Sequence, residues 1–101
     1  MSDGKWKADL NPGSNNIFPV TGSSVSQTLP KGEGWYMFSA IGVNVNVSTE
    51  TTVSWPAAAD VGMVIQSGTW TPALYIESPT IKIIGSAAQG YLVALPVKPL
   101  K

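Results

Sequence analysis

Few side chains in this sequence are suited to catalysis or to metal binding. The 101 residues include no Cys, no His and no Arg, so all six basic residues are Lys. Without Cys there is no thiol nucleophile and no thiolate metal site. Without His, the usual general base near neutral pH and the commonest metal ligand are missing. Acid–base chemistry would depend on six Asp and Glu, the lysines, three Tyr and the hydroxyl residues.

The acidic residues of the main part of the chain show no paired arrangement. Three of them, Glu33, Glu50 and Asp60, fall in predicted turns, and Glu77 ends a predicted strand. Glycoside hydrolysis needs two carboxyl groups facing one cleft, and a calcium loop needs several oxygen ligands at short spacing. Neither pattern is present, and no glycine-rich phosphate loop precedes a helix. We predict that the protein is not an enzyme and uses no metal and no cofactor.

Two of the four tryptophans are candidates for a surface binding platform. Trp55 and Trp70 each stand next to a predicted strand end, in the runs Trp55-Pro56 and Trp70-Thr71-Pro72. Carbohydrate-binding modules of the β-sandwich type stack sugar rings on such exposed aromatic side chains. The alternative is that these rings cap the core of a small domain or fill a subunit interface, where Trp and Tyr are enriched.

The low charge of the chain favours contact with other proteins. Charged residues make up 12% of the sequence and the net charge is zero, whereas an ordinary soluble domain has about 25% charged residues. A neutral chain without Arg lacks the electrostatic attraction and the bidentate contacts that nucleic acid binding uses. No stretch is long and apolar enough for a membrane helix, and the N-terminus does not resemble a secretory signal. We expect a homo-oligomer that binds neither nucleic acid nor membrane.

An alternation of apolar and polar residues with a period of two predicts β-strands from about residue 23 onward. Trp35–Ile41 is apolar on both faces, as a central strand can be, and Pro96 marks the last strand as an edge or a strand end. The chain shows no amphipathic helix. We predict an all-β domain over residues 21–101, a small antiparallel β-sandwich or jelly roll of seven to eight strands with undetermined order. The predicted strands cover residues 23–29, 35–41, 43–47, 51–55, 63–66, 73–76, 80–84 and 91–97.

The first 20 residues differ from the rest of the chain. Their apolar residues are few and do not recur with the period of a strand or of a helix. Such a segment does not bury enough apolar area to order itself. We predict an extended N-terminal arm, residues 1–20, that lies on its own domain or on a neighbouring chain; the alternative is a frayed terminus. Its partner-binding residues are predicted to be Trp6, Leu10, Ile17 and Phe18.

A polar arm with sparse aromatic residues precedes a Cys-free, Ser/Thr-rich body of low charge, exemplified by Trp35–Gly42. In this the chain resembles small bacteriophage virion proteins of the capsid decoration, or cement, type. The resemblance implies a small β-domain, usually trimeric, that binds the outside of an icosahedral head and stabilises it. It also implies a virion location after synthesis in the host cytoplasm, and an arm that reaches a neighbour or the capsid protein.

Two other functions remain open at this point. One is a carbohydrate-binding or receptor-binding module that uses Trp55 and Trp70, and the other is a phage tail or baseplate component. If residues 1–20 act only as an arm, their deletion should leave the domain folded and weaken assembly.

Overall fold

The computed structural model describes residues 5–11, 15–49, 52–55, 62–87 and 89–99. Over these residues the chain forms nine β-strands and no helix, which confirms the predicted all-β fold. The strands pair antiparallel in two sheets that pack as a small β-sandwich. They are β1 (Trp6–Ala8), β2 (Ile17–Pro19), β3 (Val25–Thr28), β4 (Gly34–Ile41), β5 (Val45–Ser48), β6 (Met63–Ile65), β7 (Leu74–Ile76), β8 (Thr80–Gly85) and β9 (Tyr91–Pro99).

The two sheets interleave along the sequence. Sheet A has the order β1-β9-β4-β7, and β2 pairs with β9 on the same side as β1. Sheet B has the order β3-β8-β5-β6. The chain therefore changes sheet at most of its turns, and neighbouring strands come from distant parts of the sequence.

Seven of the eight predicted strands are present, with ends shifted by a few residues. The exception is the strand predicted over residues 51–55, because residues 52–55 form no strand and Thr51 lies outside the described residues. The backbone N–H of Val53 instead donates to the Ser24 hydroxyl oxygen at 3.2 Å. This segment lies against sheet B without joining it.

Two short strands of the first 20 residues, β1 and β2, complete the sheet of their own chain. β1 and β2 both pair antiparallel with β9. Phe18 and Val20 are each 1% exposed and belong to the core. The predicted boundary at residue 20 therefore does not separate an arm from the body, because core side chains stand on its N-terminal side.

Pro96 lies inside β9, between two paired neighbours, where an edge strand or strand end was predicted. In the register with β4 it faces Tyr36. Its carbonyl oxygen accepts from the Asp9 N–H at 2.8 Å, so its nitrogen also points to the side of β1 and β2. The hydrogen bond between the β2 segment and β9 that lies nearest to Pro96 runs from the Ala94 N–H to the Asn16 carbonyl oxygen, at 2.8 Å. The missing N–H of Pro96 thus falls where β1 has ended and β2 has not begun, so the proline costs the ladder little.

The core is the space between the inner faces of the two sheets. Two of its three largest side chains, Tyr36 and Phe38, come from β4 and stack with ring centroids 6.0 Å apart. The Tyr36 hydroxyl accepts from the Lys31 N–H at 2.9 Å and donates to the Gly32 carbonyl oxygen at 2.8 Å. Burial raises the pKa of Tyr36 above its ordinary value. The clustered core residues are Phe18, Val20, Leu29, Tyr36, Phe38, Ala40, Val43, Val45, Val47, Ile65, Ile81, Ile83, Leu92 and Ala94.

The outer face of sheet B is mostly polar or covered. Asn46 and Ile84 point outward by the register of β5 with β8, yet both are buried. The Asn46 side-chain amide donates to the Ser54 carbonyl oxygen at 3.2 Å, which places residues 52–55 over this part of the sheet. The other outward-facing residues of sheet B are Ser26, Thr28, Ser48, Val64, Thr80 and Lys82.

Candidate interaction face

The outer face of sheet A differs from that of sheet B because its strand residues are all uncharged. Side chains alternate between the two faces of a strand, and residues paired in register share a face. Since Phe18, Phe38 and Leu92 point into the core, their neighbours along each strand point outward. These outward residues, which we call the apolar face, are Trp6, Ala8, Ile17, Pro19, Trp35, Met37, Ser39, Ile41, Tyr75, Tyr91, Val93, Leu95, Val97 and Pro99.

Several large apolar side chains of this face are half exposed. Ile41 is 51% exposed, Tyr91 50% and Ile17 48%. Trp70, at 52%, extends the face because it bridges to Ser39 beside β4. Isolated exposed apolar residues are common on protein surfaces, but a contiguous apolar patch marks an interaction site.

Three aromatic rings form a row across one end of the apolar face. The centroids of Trp6 and Trp35 are 4.8 Å apart, and those of Trp35 and Tyr75 are 5.3 Å apart with an edge-on geometry. The Tyr75 hydroxyl donates to a Glu33 carboxylate oxygen at 3.0 Å, and this bond raises the pKa of Tyr75. The row runs from β1 across β9 to β4 and β7, so it stiffens the end of the face that it crosses.

A groove of about 770 Å³ opens beside β1 and the end of β9. Tyr36 and Pro96 contribute apolar surface to its lining, and Lys7, Lys31 and Lys98 contribute cations. Lys7 and Lys98 stand directly opposite each other in the β1–β9 register. The third cation, Lys31, has its Nζ 3.7 Å from an Asp9 carboxylate oxygen. The groove therefore carries more positive than negative charge.

The charges of the described residues are separated across sheet A. Lys5, Lys7 and Lys98 lie at the edge formed by β1, whereas Glu33 and Glu77 flank the paired ends of β4 and β7 at the opposite edge. Both groups stand at the same end of the sheet, since Trp35 is in register with Val97 and Trp6 with Pro99. At one end the apolar face is thus bounded by an acidic edge and by the β1 edge next to Lys5. By strand alternation Lys7 and Lys98 point to the groove on the other side of the sheet.

The four residues predicted to bind a partner are placed in different environments. Trp6 packs against Trp35 on the apolar face, and Ile17 is exposed on the same face. Leu10 is 83% exposed at the groove. Phe18 lies in the core of its own chain and is 1% exposed. We therefore exclude Phe18 from the predicted binding residues, because a side chain on the inner face of β2 packs against the opposite sheet.

The two tryptophans of the predicted platform lie beside different sheets. Trp70 stands beside β4 on the apolar face. Trp55 follows Val53 and Ser54, whose backbone bonds hold that segment against sheet B. The aromatic residues that do come together are Trp6, Trp35 and Tyr75, which are far apart in sequence. Only the strand register brings them together.

Two of the four acidic residues that the sequence left unpaired come together in the structure, because Glu33 and Glu77 flank the same paired end of β4 and β7. Glu33 accepts from Tyr75 and Asp9 contacts Lys31, while Glu50 and Asp60 lie outside the described residues. Within the same residues, no three His, Cys, Asp or Glu side chains are close enough to hold a metal ion.

The sequence did not identify the central residues of the apolar face, Met37, Val93 and Leu95, as candidate site residues. The available signal was the run Trp35–Ile41, which is apolar on both faces of the strand. That pattern indicates that both faces are covered, and in the described chain the outer face is covered only in part.

Comparison with protein-family models, with curated protein sequences and with solved structures finds no match to this chain. Among the described residues there is also no helix that is long and apolar enough to cross a bilayer. The functional proposal therefore depends on the geometry of the chain itself.

Proposed function

We propose that this protein is a non-enzymatic structural protein of a virion. In this proposal it works as a homo-oligomer that binds the outside of a bacteriophage head and stabilises it, as a decoration protein does. The observation that carries the proposal is the uncharged apolar face of sheet A. A catalytic role is disfavoured by the absence of Cys, His and Arg from the sequence.

The apolar face supports a role in assembly because a surface of this kind is stable in water mainly when another protein covers it. The contrast with the polar or covered outer face of sheet B makes the apolar surface one-sided. Because the apolar surface is confined to sheet A, it favours a defined association rather than non-specific aggregation. Repetition of such contacts on a regular shell gives high avidity even when each contact is weak.

The groove supplies a second surface for the shell. Among the described residues, Leu10 is the most exposed large hydrophobic side chain, and it lines the groove together with Lys7 and Lys31. An apolar side chain among cations suits a shell surface that offers apolar and acidic groups. We therefore place the shell contact at the groove, with Leu10 at its centre.

The proposal is tested by adding the purified protein to bacteriophage heads assembled from a major capsid protein alone. We expect saturable co-sedimentation and a head that withstands higher temperature. Leu10→Glu should weaken binding at least about tenfold, since it places a carboxylate in an apolar contact. Val64→Glu, on the outer face of sheet B, is the matched control and should bind like the unchanged protein. Heads that show no saturable binding would exclude the decoration role.

A carbohydrate-binding function is the second candidate, and the row of Trp6, Trp35 and Tyr75 beside the groove favours it. Aromatic rings next to polar side chains are what sugar rings stack on and bond to. This function requires saturable binding on a glycan array that Trp35→Ala abolishes. Trp55→Ala, on the other sheet, is the control and should leave such binding unchanged. If no glycan binds, this candidate is excluded.

A further inference from the structure

We propose that the apolar face of sheet A packs against the same face of a second copy of this chain. The two copies would be related by a two-fold axis parallel to the strands. The inference rests on the proposed oligomeric function and names the partner that covers the face.

The area of the face matches the requirement of a small stable dimer. β9 has nine residues, which at about 3.4 Å each gives a length of about 30 Å. Four strand positions at about 4.8 Å give a width of about 19 Å, so the face covers about 600 Å². Two such faces bury about 1,200 Å² in total, at the lower end of the range for specific interfaces.

The chemistry of the face permits it to meet its own copy. In a two-fold interface each surface opposes itself, so a charged group near the centre would stand close to an identical charge. The apolar face has none among its strand residues. Its centre is formed by Met37, Val93 and Leu95, which can interdigitate with the same residues of the second copy.

The charges at the edges select the direction of the axis. A two-fold axis parallel to the strands reverses the strand order but keeps equivalent strand ends together. The acidic edge at Glu33 and Glu77 of one copy then lies over the β1 edge of the other, where Lys5 adjoins Trp6. Lys7 and Lys98 take no part, because they point to the groove on the opposite side of the sheet. A two-fold axis perpendicular to the strands would instead keep the strand order and reverse the strand ends. Each edge would then lie over the same edge of the second copy, and the charge complementarity would be lost.

The same axis gives a specific pairing of residues. Ala8, Val97, Trp35 and Tyr75 form one cross-strand row. Reversal of the strand order places Ala8 of one copy opposite Tyr75 of the second copy. β4 of each copy lies over β9 of the other, which brings Met37 against the second copy's Leu95.

The first experiment measures solution mass by sedimentation over a range of protein concentrations. The unchanged protein should sediment as two chains. Ile41→Lys and Tyr91→Lys each place a cation on an exposed position of the face, and each should raise the dimer dissociation constant at least about 100-fold. Val64→Lys on sheet B is the matched control and should remain a dimer. Unfolding temperatures close to that of the unchanged protein will show that the variants fold.

The second experiment uses the absence of native cysteine. An oxidised mixture of Ala8→Cys and Tyr75→Cys chains should form a disulfide-linked heterodimer, and neither variant alone should cross-link. Efficient cross-linking of Ala8→Cys with itself would contradict the proposed axis.

A monomer, or the trimer that the family resemblance implies, would overturn the inference, because a trimer needs two different surfaces on each copy. Neither result bears on head binding, and failed head binding by an intact dimer would overturn only the proposed function. The two failures are therefore distinguishable.

Discussion

Replacement of Phe18 by alanine is expected to lower the free energy of unfolding by about 3–5 kcal/mol. Phe18 is 1% exposed and packs in the core between the two sheets. The substitution removes a large apolar side chain and leaves a cavity among residues that relax only in part. Denaturant unfolding, followed by tryptophan fluorescence, measures the change.

The neighbouring Ile17 provides the control, because it lies in the same strand and points to the apolar face. Ile17→Ala should change the free energy of unfolding by less than about 1 kcal/mol when both variants are compared at the same solution mass. Equal effects of the two substitutions would mean that β2 does not pack as described. The large expected effect of Phe18→Ala also replaces the expectation for a deletion of residues 1–20, which should unfold the domain rather than only weaken assembly.

Replacement of Gly62 by alanine is expected to cost about 2–5 kcal/mol, from backbone strain and crowding together. Gly62 has a φ of +80°, a conformation that residues with a Cβ rarely adopt. A Cβ at this position would also collide with Asn46 Oδ1 and would lie 2.8 Å from the carbonyl oxygen of Val47. Because that carbonyl belongs to β5, relief of the collision requires a movement of the strand backbone.

Gly68 separates the two causes. Its φ is +83°, close to that of Gly62, but no heavy atom lies within 4 Å of the position that a Cβ would take. Gly68→Ala should therefore cost only the strain, about 1–2 kcal/mol. The difference between the two variants measures the crowding at β5, and equal thermal stabilities would show that the crowding is absent.

The strands were predictable from the sequence because alternation records which side chains face the core. Val45 and Val47 alternate with Asn46 and Ser48, and the structure places the valines inward. β1 and β2 could not be predicted in the same way, since each has three residues and neither gives a readable alternation. Their position depends on pairing with β9, some 80 residues later in the chain.

The candidate site was less predictable than the strands. A sequence shows that Trp35–Ile41 is apolar on both faces, but it does not show which neighbours share the outer face. That information comes from the register, which places Trp35 beside Tyr75 and Met37 beside Leu95. Trp55 and Trp70, equivalent in sequence context, likewise lie beside different sheets, because side-chain bonds hold the Trp55 segment against sheet B and a bridge to Ser39 places Trp70 beside β4.

Pro96 has a consequence for the alignment of the N-terminal segment. Pro96 presents a carbonyl oxygen but no N–H to the strand beside it. In the observed register Pro96 faces Asp9, just beyond the end of β1. If β1 shifted by two residues along β9, Lys7 would pair with Pro96. The carbonyl oxygen of Lys7 would then lose its N–H donor, because proline has none. Pro96 therefore disfavours a shift of β1 in this direction. It helps to fix the register of a short strand that has no alternation of its own.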